Sequence, residues 1–235
     1  MKAIFFDLDG TLLGMDMETF VIGYLKELSR MAAPLGYEAK TLNDAMWGCT
    51  GAMIKNDGSM TNKERFWGEF SSVFGEKVYG DIAAFDEFYS NEFHRVKDVC
   101  QGDAEAARAA VAAAREWADV VVLSTNPIFP RTAVESRLSW VGLKAEDFDL
   151  ITTYEDSSLC KPNPAYYHAI MDKLGLTGTE IIMVGNDMQE DMVASQAAGI
   201  EKRYFVTDWA INRDDTPITM SSGSLRDFPR WLREQ

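Results

Sequence analysis

The sequence is short of positive charge, of histidine and of long apolar runs, and each shortage excludes something. Lys and Arg number 23 against 37 Asp and Glu, a net charge of −14. A surface of that sign repels nucleic-acid phosphates and anionic lipid headgroups, so neither a nucleic acid nor a membrane is expected as partner. No apolar run approaches the roughly 18 residues that span a bilayer. The first apolar stretch is interrupted by Asp7 and Asp9, which argues against a signal peptide. Two distant histidines and three scattered cysteines (Cys49, Cys100, Cys160) offer no zinc-ligand spacing, and the odd cysteine count suits a reducing cytoplasm. What remains is a globular composition, 46% apolar over 235 residues, long enough for one large domain or two modest ones.

The texture changes twice along the chain. Residues 2–7 form a short, wholly apolar run that predicts a buried strand. From Met15 to about Cys100, apolar residues recur at helical spacing (Phe20, Tyr24, Leu28, then Phe66, Phe70, Phe74), which predicts a bundle of four or five helices without a strong strand. After Gly102, helix and strand alternate. Asp103 is placed to cap an Ala-rich helix, "DVVVLS" reads as a buried strand, and 130–140 as a helix. A short strand follows at 148–153. Asn163, Pro164 and Gly175 are start and stop signals around another helix. "EIIMVG" and "KRYFVT" are strands flanking a helix over 188–198, and a helix near Pro229 ends the chain. Alternation of this kind predicts an α/β fold, a doubly wound parallel sheet with helices on both faces. The core is assigned to residues 1–14 and 101–235, and an all-helical insertion to 15–100.

In open α/β sheets, ligands bind beyond the carboxyl ends of the strands. Asp7 ends the first strand and Asp9 follows it. Ser124, Thr125 and Asn126 end the second, Lys161 follows the third, and Asp187 ends "IIMVGND" with Asp191 one helical turn on. Four acids, a hydroxyl and a lysine thus converge on one rim. Four carboxylates with one lysine do not stay ionised together without a cation, and a hard divalent ion such as Mg²⁺ suits oxygen ligands. The same cation and Lys161 would attract a phosphate to an otherwise acidic protein. Gly10 permits a tight turn after Asp9. Which of Ser124 and Thr125 faces outward is open, since a one-residue shift exchanges them.

These four segments resemble, in order, the motifs of the haloacid dehalogenase (HAD) superfamily of Asp-nucleophile phosphatases: "DLDGT", "STN", "KPNP" and "GNDMQED". A helical insertion directly after the first motif resembles that family's C1 cap. The resemblance implies a Mg²⁺-dependent phosphate monoester hydrolase acting on a small phosphorylated metabolite. Asp7 would be the nucleophile, forming an aspartyl-phosphate, and Asp9 the acid–base, its backbone carbonyl also on the metal. Thr125 would contact a phosphoryl oxygen beside Asn126, and Lys161 would neutralise phosphate and nucleophile. Asp187 would ligate Mg²⁺, joined by Asp191 through water or as an orienting group. Thr125 is favoured over Ser124 because the family often has Thr-Asn there.

Rival readings share parts of this pattern. A haloacid dehalogenase uses the same nucleophile without Mg²⁺, but its branch typically lacks the second acid, which Asp9 supplies here. A phosphomutase would keep all four motifs and differ in the cap. A receiver-like phospho-switch is about half this length and carries its aspartate on a middle strand. Within the insertion, Trp47, Phe66 and Trp67 are expected in the core. The polar stretch 54–67, with Lys55, Asn56, Asn62, Lys63 and Arg65, could reach a leaving group, although a solvated loop explains it equally. Cys160, His94 and His168 receive no role.

Overall fold

The computed structural model describes all 235 residues. Six parallel strands form one sheet in the order β3-β2-β1-β4-β5-β6. They are β1 (Ala3–Phe6), β2 (Val120–Leu123), β3 (Leu150–Ile151), β4 (Ile181–Gly185), β5 (Lys202–Val206) and β6 (Ser221–Gly223). β1 lies between β2 and β4, with Phe6 level with Leu123 on one side and Val184 on the other. The order reverses at β1, so Asp7 leaves the sheet at its topological switch point.

Successive strand residues face opposite sides. Ile4, Phe6, Val121, Leu123, Ile182 and Val184 join one apolar core, and Ala3, Phe5, Val122, Ile181 and Met183 join another. The second core is closed by α7 (Pro164–Leu174), capped by Asn163 and ended by Gly175 in the left-handed conformation. The first is closed by α5 (Ala104–Trp117), α6 (Arg131–Trp140) and α9 (Phe228–Leu232), the first of them capped by Asp103. A wide π-type turn, Met188–Val193, and the short α8 (Ala194–Ala197) replace the single helix expected over 188–198.

Residues 17–99 contain four α-helices and two 3₁₀ segments, Ala33–Leu35 and Glu92–Val99, and no strand. The helices are α1 (Met17–Ala32), α2 (Ala39–Ile54), α3 (Asn62–Phe74) and α4 (Val78–Ser90). Asp16 caps α1, and Thr61 with Glu64 forms a reciprocal capping box on α3. The aromatic residues of this insertion, Phe20, Tyr24, Phe70, Phe85 and Phe93 among them, pack into the same core as the sheet face beneath. Trp47 departs from expectation: its side chain is 59% exposed, whereas Phe66 and Trp67 are buried.

The insertion is tied to the core at three places, one of them the bond from Ser136 Oγ to Tyr89 O at 3.1 Å. At the neck, Met15 pairs antiparallel with Cys100, and Gln101 N donates to Gly14 O at 3.0 Å. Away from it in sequence, Asn62 N donates to Ser157 O and Lys63 N to Tyr154 O, both at 2.8 Å. Asn62 Nδ2 adds a bond to Pro127 O at 3.0 Å, and its Oδ1 accepts from Asn56 Nδ2 at 2.8 Å. Asn62 therefore locks the insertion to the core, and Asn56, bonded to Met60 O and Asn62, holds Asn62 in place.

Candidate active site

Asp7 is held from the backbone outward. Its N–H donates to Val184 O at 2.9 Å, which extends the β1–β4 ladder by one residue and fixes the carboxylate at the sheet edge. Gly10 then turns the chain with φ +86°, and a Cβ there would stand 2.2 Å from Asn186 Nδ2, so the backbone closes on Asn186 as only glycine allows. Thr11 Oγ1 donates to Asn186 Oδ1 at 2.9 Å and approaches Asp7 Oδ2 at 3.2 Å. Thr11 is thus the side chain that reaches Asp7 Oδ2, across the longer of its two contacts.

Lys161 is fully buried, and its ammonium donates to Asp7 Oδ1 at 2.9 Å and to Asp191 Oδ1 at 2.6 Å. Burial alone would push that ammonium toward neutrality, but Asp191 and Asp7 together hold it charged, well above the ordinary lysine range. The other Asp191 oxygen accepts from Asp187 N at 3.0 Å. Expected either to act on a cation through water or to orient its neighbours, Asp191 has both oxygens bonded inside the protein, one of them to Lys161. Gly185 makes room for it, since a Cβ there would lie 2.2 Å from Asp191 Oδ2.

Asp187 begins the wide turn, accepting from Gln189 N and Glu190 N at 2.9 and 3.0 Å through Oδ1. Its Oδ2 is paired with Arg213 at 3.0 Å. Ser124 Oγ points inward, donating to Phe6 O at 3.2 Å, while Thr125 borders the cavity. Of the two residues, Thr125 is the one that lines the cavity with Asp7. Asn126 Nδ2 donates to Glu190 Oε2 at 3.0 Å.

Asp9 does not stand free beside Asp7. Its Oδ2 is bound by Arg137 Nη1, whose side chain is fully buried under Phe129 with the guanidinium carbon 4.3 Å from the ring centre. Burial raises the Asp9 carboxyl above its usual range, and Arg137 pulls the other way. Burial also raises Glu190. Neither Arg137, Glu190 nor Arg213 was expected from the sequence. Arg137 did leave a signal: it sits in the stripe Ala133, Val134, Arg137, Leu138, where a lone arginine among buried residues requires a buried anion.

These side chains line a cavity of about 350 Å³ between the carboxyl ends of the strands and helices α1 and α2. Five carboxylates border it (Asp7, Asp9, Asp187, Glu190, Asp191), with Lys161, Arg137 and Arg213 as partners. No three of them form a preformed metal cage. Yet the donors are all oxygen, negative charge is in excess, and buried Asp9 Oδ1 and Asn126 Oδ1 lack any partner. The pairing that closes Asp187 comes from Arg213, whose side chain is 63% exposed and therefore displaceable. That chemistry fits a hard divalent cation.

Comparison with known proteins agrees with the fold and the order of these segments. Residues 1–199 match the model of a hydrolase family described as haloacid dehalogenase-like. A curated phosphoglycolate phosphatase from Pectobacterium atrosepticum is 37% identical over 70 residues, 30% of this chain and 29% of that protein, so the match spans under a third of the relative's length. Among solved structures, a HAD phosphatase from Thermococcus onnurineus superposes with a TM-score of 0.60 at 18% identity, over 99% of this chain and 98% of that one. A 2-haloacid dehalogenase from Pseudomonas syringae reaches 0.65 at 18% identity, over 100% and 99%. A HAD hydrolase from Bacillus subtilis, described as bound to magnesium, gives 0.58 at 18%, over 99% and 98%. At such identities the structures share a fold, and the family model supplies the rest: this chain belongs to the haloacid dehalogenase-like hydrolases.

Proposed function

We propose that the protein is a phosphate monoester hydrolase working through an aspartyl-phosphate on Asp7, with the insertion over residues 15–100 as its cap. The observation that carries this reading is Asp7 at the switch point of the sheet, its carboxylate 2.9 Å from a buried lysine and open to the cavity. Lys161 draws in the phosphoryl group and neutralises charge on it as transfer proceeds. Asp7 Oδ2, the oxygen not bonded to Lys161, attacks phosphorus, the ester P–O bond breaks, and the leaving alkoxide takes a proton from Asp9. Asp9 then removes a proton from the water that cleaves the acyl-phosphate. Arg137 keeps the carboxyl in place for both steps. Thr125 and Asn126 contact the phosphoryl oxygens.

The family and the oxygen donor set support Mg²⁺ as cofactor. The Asp7 and Asp187 carboxylates and the Asp9 backbone carbonyl would hold it, with Asp191 acting only through Lys161. When bound, it supplies charge neutralisation for the phosphoryl oxygens.

A dehalogenase reading draws on the fold relatives. Halide departs without a proton, however, so the acid role of Asp9 toward the leaving group has no counterpart in that chemistry. The test is phosphate release from p-nitrophenyl phosphate with Mg²⁺ and with EDTA, together with Asp7→Asn. Activity that stops with EDTA, and a phosphoryl adduct on Asp7 that the Asn variant lacks, are the expected results. Full turnover by undeamidated Asp7→Asn refutes the assignment.

A further inference from the structure

The acids of the cavity lie on its floor, and the wall facing them is apolar. Helix α1 supplies Phe20, Val21 and Leu25, and α2 supplies Met46 and Trp47. Past Tyr24 and Phe129 the space continues into a smaller recess of about 40 Å³ beside Trp67, Phe85 and Tyr154. The Tyr24 hydroxyl is already bonded to Tyr89 at 2.7 Å. The cation bordering the cavity is Arg213, on the floor, bound to Asp187. Two of the three basic residues of the polar stretch 54–67 are turned elsewhere, Lys63 over the Tyr154 ring at 5.7 Å and Arg65 toward Asp57 at 3.8 Å, and the third, Lys55, does not line the cavity.

We propose that the site, read as above as a phosphatase's, takes monoesters of small, uncharged, apolar alcohols, aromatic or branched, and discriminates against esters whose alcohol carries a carboxylate. A second anion on the substrate would be desolvated against a wall that carries no cation, in a space already bordered by five carboxylates. An aromatic ring in the same place buries its surface and meets aromatic edges. At about 30 Å³ per water-sized group, the cavity of about 350 Å³ holds about a dozen non-hydrogen atoms. Five of those belong to the phosphate ester group, which leaves room for one ring. The preference departs from the substrate named for the Pectobacterium relative, whose match covers 30% of this chain.

The test compares kcat/KM for benzyl phosphate and 2-phosphoglycolate, both esters of ordinary alcohols, in the wild type and in two variants that place a cation on the wall. Val21→Arg and Thr50→Arg both sit on half-buried helix positions, and folding is checked by circular dichroism. Benzyl phosphate is expected to lead by roughly tenfold or more, the size that burying a ring provides. Either folded variant is expected to narrow the ratio by lowering benzyl phosphate and raising phosphoglycolate. Phosphatase activity with phosphoglycolate equal or ahead in the wild type, or ratios unmoved in both folded variants, overturns this preference and leaves the phosphatase reading standing. No phosphate released from these esters or from p-nitrophenyl phosphate overturns the phosphatase reading itself, and this inference with it.

Discussion

Replacing Lys161 by Met removes the ammonium while keeping an unbranched apolar stem. Asp7 and Asp191, which it bridges at 2.9 and 2.6 Å, are then left buried and unpaired. Removing one partner of a buried ion pair typically costs about 3–5 kcal/mol, and that is the loss expected at pH 8. The pH dependence separates charge from packing. In the wild type the lysine's folded pKa is raised, so its contribution is complete below the unfolded value near 10.5 and fades only as pH climbs through the folded value. Between pH 5 and 9 the lysine's own contribution is therefore flat, while Asp191 is raised by burial in the wild type too, with Lys161 pulling it back. In the variant that pull is gone and the buried Asp191 carboxyl shifts further upward. An acid whose folded pKa is raised favours the native state below its unfolded value, about 3.9, and loses that contribution as pH rises toward the folded value. The gap between variant and wild type should thus be largest at pH 8 and shrink as pH falls, by up to about 1.4 kcal/mol per pH unit for each proton taken up. Urea unfolding at pH 5 and 8, with equal m-values, measures it. A gap of the same size at both pH values would show that Lys161 contributes through packing and refute the electrostatic account. Adding Asp191→Leu to Lys161→Met should recover part of the loss, because it removes one of the stranded charges.

Arg137→Met should leave Asp9 buried beside an apolar side chain. It is expected to lower kcat by about 10²–10⁴-fold, the usual worth of a positioned acid–base, and to move the pH–rate profile, whereas an unchanged profile would make Arg137 a structural residue only. Asn62→Leu strands Pro127 O and should cost about 1–3 kcal/mol in a thermal or urea melt, with little effect on the intrinsic step for any substrate that still reaches Asp7. A neutral result there would show that water replaces the amide.

The strands and the rim were legible because buried parallel strands read as apolar runs and because the acids, the hydroxyl and the lysine each sit where a run ends. β6 was not legible. "SSG" at the sheet edge is short, polar and half exposed, so nothing in its side chains reports the pairing that its backbone makes with β5. The partners Arg137 and Arg213 were hidden for another reason. Their importance lies in pairs formed across 128 and 26 positions of chain, and spacing along one helix or loop does not encode such a pair. Glu190 stood in plain view within "GNDMQED", but only the π-type turn decides that it, and not Gln189, faces Asn126. The polar stretch 54–67 misled in the opposite direction: its asparagines are polar because they satisfy backbone and one another, not a ligand.

The bonds of Asn62 and Lys63 to the loops at 127 and 154–157 bear on how anything enters the cavity. A body attached to another by one neck keeps a free axis of rotation, and it swings like a door. Here the door is also latched, by two backbone hydrogen bonds and one amide, to a part of the frame remote in sequence from the hinge. A swing about Met15 and Cys100 alone would have to release that latch and expose part of the core that insertion and sheet hold in common. Trp47 faces solvent and lines the cavity, so the helices that form the apolar wall also frame its doorway.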